Sequence, residues 1–263
     1  MPSIHQEDWY NTPLYYDIVF DEDTNAEAAF LEQVWAAFGG YKKESLEILE
    51  PACGSGRLVE AMSDRGHWVA GFDLNERMLA FAEERGTGAS LFSGRMESFD
   101  LPKGVGEKGF DLAHCFVSTF KYMLTEAHAV AHLQLMAEHI RSSGIYVIGL
   151  HLTDYQRTTY QHERWSGERD GVEVVCNTRT WPPDQKTRLE DLRNRLRVTQ
   201  GGQTKIQETN WQFRTYDARQ VRALLRKIPA FEIVGCYDFW VNIDDPRGLD
   251  DSQEDLIVVL RRS

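Results

Sequence analysis

Cysteine is scarce in this chain of 263 residues, and the four present, Cys53, Cys115, Cys176 and Cys236, stand far apart. No pair has metal-ligand spacing, so no metal site is expected, and no disulfide framework is legible. Reduced, buried thiols in a cytoplasmic protein are the expectation. Long apolar runs are missing, and no basic segment followed by an apolar run opens the chain. Neither a membrane span nor an export signal is expected. Positive charge is in deficit: 29 Lys and Arg face 41 Asp and Glu, a net charge of −12. Nucleic acid and anionic membranes demand the opposite sign, so neither is expected as a partner. A local run of Arg188, Arg193, Arg195 and Arg197 alternates with Glu190 and Asp191, which suits a solvated strand face. There is no internal repeat and no low-complexity tract. The remaining feature is 42% hydrophobic content, enough for one good core or a core plus a modest subdomain.

Within that core the most informative stretch runs from Leu46 to Leu58, LEILEPACGSGRL. A short apolar strand ends in the carboxylate Glu50, a tight turn follows through Ala52, Gly54 and Gly56, and an amphipathic helix begins at Arg57. Such a strand-turn-helix gathers backbone N–H groups around one small ligand. Three features argue against a dinucleotide. The third glycine of G-x-G-x-x-G is replaced by Val59. Glu50 would repel a pyrophosphate and attract an ammonium group. Arg57 suits a carboxylate. A ligand with an ammonium, a carboxylate and a nucleoside, but no phosphate, fits all three, and S-adenosylmethionine is such a ligand. The next apolar run ends in Asp73, 17 residues beyond Gly56, near the spacing of an acid that accepts from ribose hydroxyls. Leu74 follows it, and Met78 and Leu79, on the helix after it, are placed to cover the adenine.

With the glycine turn and the strand-terminal acid together, the chain resembles the class I S-adenosylmethionine-dependent methyltransferases, small-molecule type. The resemblance implies a Rossmann-like, doubly wound α/β fold with a mostly parallel seven-stranded sheet. It also implies roles for further residues. Tyr16, in Tyr15-Tyr16-Asp17, folds over the cofactor. Met96 and Glu97, in the segment Phe92 to Phe99, meet the adenine, with Arg95 where the family often has Asp. Cys115 and Phe116, ending Phe110 to Phe116, line the methionine part. Gly144 to Leu150 resembles the fifth strand, after a helix through Leu133 to Ile140.

From Val172 helices give way to strands: 172–181, 189–198 and 206–216, with Gln200-Gly201-Gly202-Gln203 as a hairpin signal. Antiparallel pairing is therefore expected in an insertion after the fifth strand, able to close over substrate or to pair two subunits as a homodimer. The expected division is a cap segment and helix over 1–40, with the helix from Asn25 or Ala26 to Phe38. A cofactor-binding core over 41–155 and the β insertion over 156–216 follow, and a helix with the closing strands fills 217–263.

Methyl transfer from a sulfonium needs positioning and desolvation more than charge. An amine acceptor has only to lose its proton, whereas a hydroxyl needs a base. His151, just past the fifth strand, is the catalytic candidate, because open α/β sheets bind ligands beyond the carboxyl ends of their strands. Asp154, Tyr155, Tyr160, Trp165 and Trp181 are candidates for the same pocket. His114 reads as a core residue, and His128 with His132 as a helix face. The expected function is methylation of a small-molecule nitrogen or oxygen. The alternatives are a non-catalytic S-adenosylmethionine-binding sensor or assembly protein, and a nicotinamide oxidoreductase, which Val59 and Glu50 count against.

Overall fold

The computed structural model describes residues 4–263, and its elements sort into two sheets. The first holds seven strands, β2 (Glu47–Pro51), β3 (Trp68–Asp73), β4 (Ser90–Ser93), β5 (Phe110–Cys115), β6 (Ile140–His151), β11 (Phe231–Tyr237) and β12 (Asp255–Arg262). Their order is β11-β12-β6-β5-β2-β3-β4, parallel except for β12, which runs antiparallel to both neighbours. Helices cover both faces, so the central strands are apolar almost throughout: every residue of β5 is buried, as are Ile48 and Leu49 of β2. The covering helices are α2 (Thr24–Phe38), α3 (Arg57–Asp64), α4 (Glu76–Glu83), α5 (Glu126–His139) and α6 (Ala218–Leu225).

The second sheet is the antiparallel ladder β7 (Gln161–Arg169), β8 (Val172–Thr180), β9 (Leu189–Gln200) and β10 (Gln203–Arg214). The hairpin between β9 and β10 turns at Gly201 and Gly202, both at positive φ (56° and 77°), the backbone a two-residue primed turn requires. Two parts of this sheet escape a pattern reading. One is β7, whose residues are nearly all exposed and which therefore carries no apolar alternation. The other is β1 (Ile4–Gln6), which adds to β10 in parallel from 202 residues away, Ile4 opposite Ile206. A helix, α1 (Pro13–Phe20), also forms where the sequence shows only scattered aromatics; Pro13 at its first turn supplies the fitting φ. The backbone of α1 presses on β7 so closely that a Cβ on Gly167 would lie 2.3 Å from the Ile18 carbonyl oxygen. Helix α5 begins at Glu126, earlier than the apolar pattern suggests, because Thr125 caps it by accepting from the His128 N–H.

One buried carboxylate joins these layers. Asp17 of α1 is wholly inaccessible. It accepts from Ser55 Oγ in the glycine turn (2.6 Å), from Arg85 Nη2 after α4 (2.5 Å) and from Arg169 Nη1 at the end of β7 (2.6 Å). Arg85 Nε in turn donates to the Ser55 carbonyl at 2.7 Å. Cap, glycine turn and second sheet thus share one anion. Asp17→Asn takes the buried anion from both guanidinium groups but leaves Arg85 its Glu60 partner and half-buried Arg169 its Asp21 partner, so the cost is that of lost charge-assisted hydrogen bonds, about 2 kcal/mol. Thermal or urea unfolding should show a loss of that order; an unchanged midpoint would remove Asp17 from this role.

Candidate functional site

The strand order places β2 beside both β3 and β5, and the crevice between the carboxyl ends of β2 and β5 is the switch point of the sheet. The glycine turn fills it. Ala52, Gly54 and Gly56 all have positive φ (53°, 54° and 74°). At Gly56 a Cβ would sit 2.7 Å from Ala82 Cβ of α4, so glycine there is a packing requirement as well. The missing third glycine is made good from the neighbouring strand: Val59 packs on Gly71 of β3, where a Cβ would lie 3.2 Å from its Cγ2.

Asp73 ends β3 half-exposed. Its Oδ2 accepts from the Gly54 N–H at 2.9 Å and its Oδ1 from the Asn75 N–H at 2.8 Å. Burial raises its pKa, which those backbone donors lower. Leu74 beside it is 60% exposed. Met78 lies fully buried beneath it, in the core rather than on the crevice surface. Tyr16 leans over the turn, its ring 3.9 Å from where a Gly54 Cβ would be. Met96 is buried, and its carbonyl bonds the ring of buried His132, whose Nε2 meets the Tyr146 hydroxyl at 2.6 Å. His132 is therefore a core residue, apart from exposed His128. Glu97 pairs with Arg95 at 2.7 Å; burial alone would raise its pKa, and its own backbone N–H and Arg95 hold it below the ordinary value. Arg57 is buried and already engaged, by Glu27 and, at 3.1 Å, by Thr24 Oγ1. The carboxylate it meets is the protein's own.

Charge is least satisfied at Glu50. Burial pushes its pKa up to about 8, with Arg57 opposing, and Oε2 has no partner among the described residues. His114 of β5 lies with Nδ1 4.0 Å from Glu50 Oε1. It is fully buried, both ring nitrogens lack partners, and burial followed by Arg57 brings its pKa down to about 3. Three orphaned polar atoms in one buried place call for a ligand. A neutral His beside a carboxyl that ionises on meeting a cation suits an ammonium group. Cys115 and Phe116, both buried, close this end.

Beyond the crevice, between the two sheets, lies a cavity of about 630 Å³ to which Tyr16 also contributes. His151, at the end of β6, stands in its wall. Asp255 of β12 lies directly opposite in the strand register, and His151 Nδ1 is 2.7 Å from its Oδ1. A carboxylate can only accept, so Nδ1 donates, and in the neutral ring Nε2 keeps its lone pair. The His151 N–H donates to Ser118 Oγ at 3.0 Å. Val117 and Ser118 both sit at positive φ (55° and 60°), a strained loop of the kind that concentrates at functional sites. Asp154, Tyr155 and Trp165 line the cavity, while Tyr160 and Trp181 lie outside its lining. In its floor, Lys121 and Arg157 share one buried carboxylate, Glu190, at 2.8 and 3.0 Å. Asp255, Lys121, Arg157 and Glu190 carry no local motif. Only the register of β6 against β12, known once the fold is known, pairs Asp255 with His151. Of the arginine run, Arg193 and Arg195 meet Glu208.

Glu50 also sets a stability signature. A carboxyl with a raised native pKa costs nothing below its unfolded value near 4.5, costs increasingly up to about 8, and a constant amount above. Glu50→Gln should therefore gain stability over the parent as pH rises from about 5 to about 9. A gap in melting temperature that stays flat across that range would contradict the buried, neutral state.

Residues 48–144 match the family model "Methyltransferase domain". A dTDP-3-amino-3,6-dideoxy-alpha-D-glucopyranose N,N-dimethyltransferase of Streptomyces fradiae is 29% identical over 136 residues, 51% of this chain and 50% of the relative. The chain thus matches about half the length of that relative. DesVI of Streptomyces venezuelae shares the fold over 98% of this chain and all of its own, with a TM-score of 0.76 at 18% identity. CalS10, an amino pentose methyltransferase from Micromonospora echinaspora solved with S-adenosylmethionine bound, does so over the whole of both chains, with a TM-score of 0.70 at 18% identity. Among the described residues no helix is long and apolar enough to cross a membrane. With the switch-point crevice, its glycine turn and the Glu50 and Asp73 carboxylates, these matches identify residues 48–144 as a methyltransferase domain, in a chain whose fold is that of S-adenosylmethionine-dependent methyltransferases.

Proposed function

We propose that this chain methylates an amine nitrogen of a small molecule, with Glu50 receiving the cofactor's ammonium and Asp73 its ribose. The observation that carries this reading is the placement of a half-open cavity against the cofactor crevice, joined at Tyr16, with His151, held by Asp255, in its wall. When bound, S-adenosylmethionine supplies a methyl group on a cationic sulfur. The protein's share is to exclude water, to orient the acceptor and to receive its proton. His151 Nε2 is the group free to take that proton, and Asp255 fixes the orientation of the ring. The amine class is supported by the carboxylates around the cavity and by relatives named as amino-sugar N,N-dimethyltransferases.

Calorimetric titration with S-adenosylmethionine, S-adenosylhomocysteine and NAD tests the cofactor site. The two sulfur ligands should bind and NAD should not; Asp73→Ala and Gly54→Val should each abolish binding, and retained affinity in both would refute the site. Binding an ammonium pulls the Glu50 pKa down from about 8, so a proton is released. Affinity should then rise nearly ten-fold per pH unit between about 6 and 7.5, and buffers of different ionisation enthalpy should report the proton. A flat profile would remove Glu50 from the ammonium role. For the acceptor side, His151→Ala should lower kcat by about 10²-fold or more while cofactor affinity stays unchanged. Equal losses in kcat and cofactor affinity would mark His151 as structural.

A further inference from the structure

Six carboxylates line the acceptor cavity: Asp154, Glu163, Glu190, Asp217, Asp251 and Glu254. Besides His151, which is paired with Asp255, two basic side chains among the described residues join them, Lys121 and Arg157. Both cations are already committed. Lys121 Nζ reaches Glu190 and lies 5.2 Å from the centre of the Phe213 ring. Arg157 reaches the same carboxylate and two backbone carbonyls, those of Thr180 and Trp181. The remaining carboxylates meet neutral donors, which leave their charge in place. Asp217 accepts from the Gln220 N–H, Asp251 from the Ala218 N–H, Glu254 from Gln161 Nε2 and Asp154 from the Gln156 N–H. Glu163 makes no hydrogen bond or ion pair among the described residues. It stands where its charge is felt by His151, Lys121, Glu254 and Asp255, and the surrounding walls raise its pKa.

The opposite wall is aromatic. Trp9 and Trp211 stack with ring centres 5.4 Å apart, and each has an indole N–H without an acceptor, although Trp9 is only 6% exposed. Tyr16, Phe20 and Trp165 continue that wall. Uncommitted carboxylates facing electron-rich rings and spare N–H donors suit a hydroxylated or amine-bearing cation. They oppose a diphosphate, whose charges would enter a confined space already negative and find no free cation to meet them.

We propose that the acceptor is a phosphate-free amine of net positive charge, anchored by an ammonium group on Glu163, and not a nucleotide-linked sugar of the kind named for the curated relatives. This rests on the methyl-transfer reading and narrows its substrate. Glu163 is then a specificity residue and His151 receives the proton of the nitrogen being methylated.

The test is calorimetry on the full chain saturated with S-adenosylhomocysteine. The cationic probes are spermidine and tobramycin, and the anionic probe is dTDP-3-amino-3,6-dideoxy-α-D-glucopyranose. Methyl transfer from S-adenosylmethionine is assayed in parallel. At least one cationic probe should bind and be methylated. Its affinity should fall about ten-fold in Glu163→Gln, the loss of one charge-assisted bond, and should weaken between about 25 and about 250 mM NaCl. The dTDP sugar should do neither. Binding of the dTDP sugar alone, or cation binding indifferent to Glu163→Gln, would overturn the proposal. Failure of every probe with S-adenosylhomocysteine bound would overturn it too and leave the cofactor reading intact. Failure of S-adenosylhomocysteine itself would bring down both. Glu163 lies on an exposed edge strand, and unchanged S-adenosylhomocysteine affinity in the variant confirms that it folds.

Discussion

The anion at Asp17 is the constraint on which this architecture depends. A wholly buried carboxylate is unfavourable unless its charge is met, and here it is met from three directions by groups belonging to three different parts of the chain. That requirement fixes α1 against the glycine turn and against β7 at once. Tyr16 precedes Asp17 in the same helix turn, so its place over the cofactor crevice is a consequence of the neighbouring charge. The floor of the second sheet repeats the device with Glu190 between Lys121 and Arg157. In both cases one carboxylate collects cations from distant segments, and an opening is left beside it.

Asp111 shows the contrast between the two ends of the first sheet. At the amino end of β5 its carboxylate accepts from Tyr41, Lys43, Arg141 and the Glu47 N–H and is saturated. Burial would raise its pKa, but those donors hold it below the ordinary value. At the carboxyl end Glu50 and His114 are as deeply buried and have no such partners. The same strands therefore carry a closed polar site at one end and an open one at the other. Unmet polarity, more than depth, distinguishes the end that receives a ligand.

Much of the first sheet was legible because its signals are local. A parallel strand buried on both faces is a short apolar run, and the turn after β2 needs Gly54 and Gly56 within three residues. Asp73 is legible because a strand-terminal acid at that distance is a spacing. The second sheet was legible in part. β8, β9 and β10 announce themselves by length and by Gly201-Gly202, whereas β7 and β1 are held by neighbours and not by their own composition. The engagement of Arg57 by Glu27 was not legible, because its partner sits on another helix. The full burial of Met78 was not legible, because period alone does not separate a surface-facing position from a core one. The acceptor cavity was the least legible part, since its chemistry comes from side chains that meet only through register and sheet stacking.

The pairing of Ile4 with Ile206 gives the two halves of the site different histories. The cofactor crevice is made by successive strand-helix-strand units between Glu47 and Cys115, closed by short loops. The acceptor cavity needs Trp9 stacked on Trp211 and bonded to Thr209, and the ladder of β1 and β10 beside them joins segments some 200 residues apart. Loop closure over such a separation is entropically late, and long-range pairing is slow. By that argument the strands of the crevice should pair before the cavity closes. The binding of the methyl donor then rests on local pairings, and its use on distant ones.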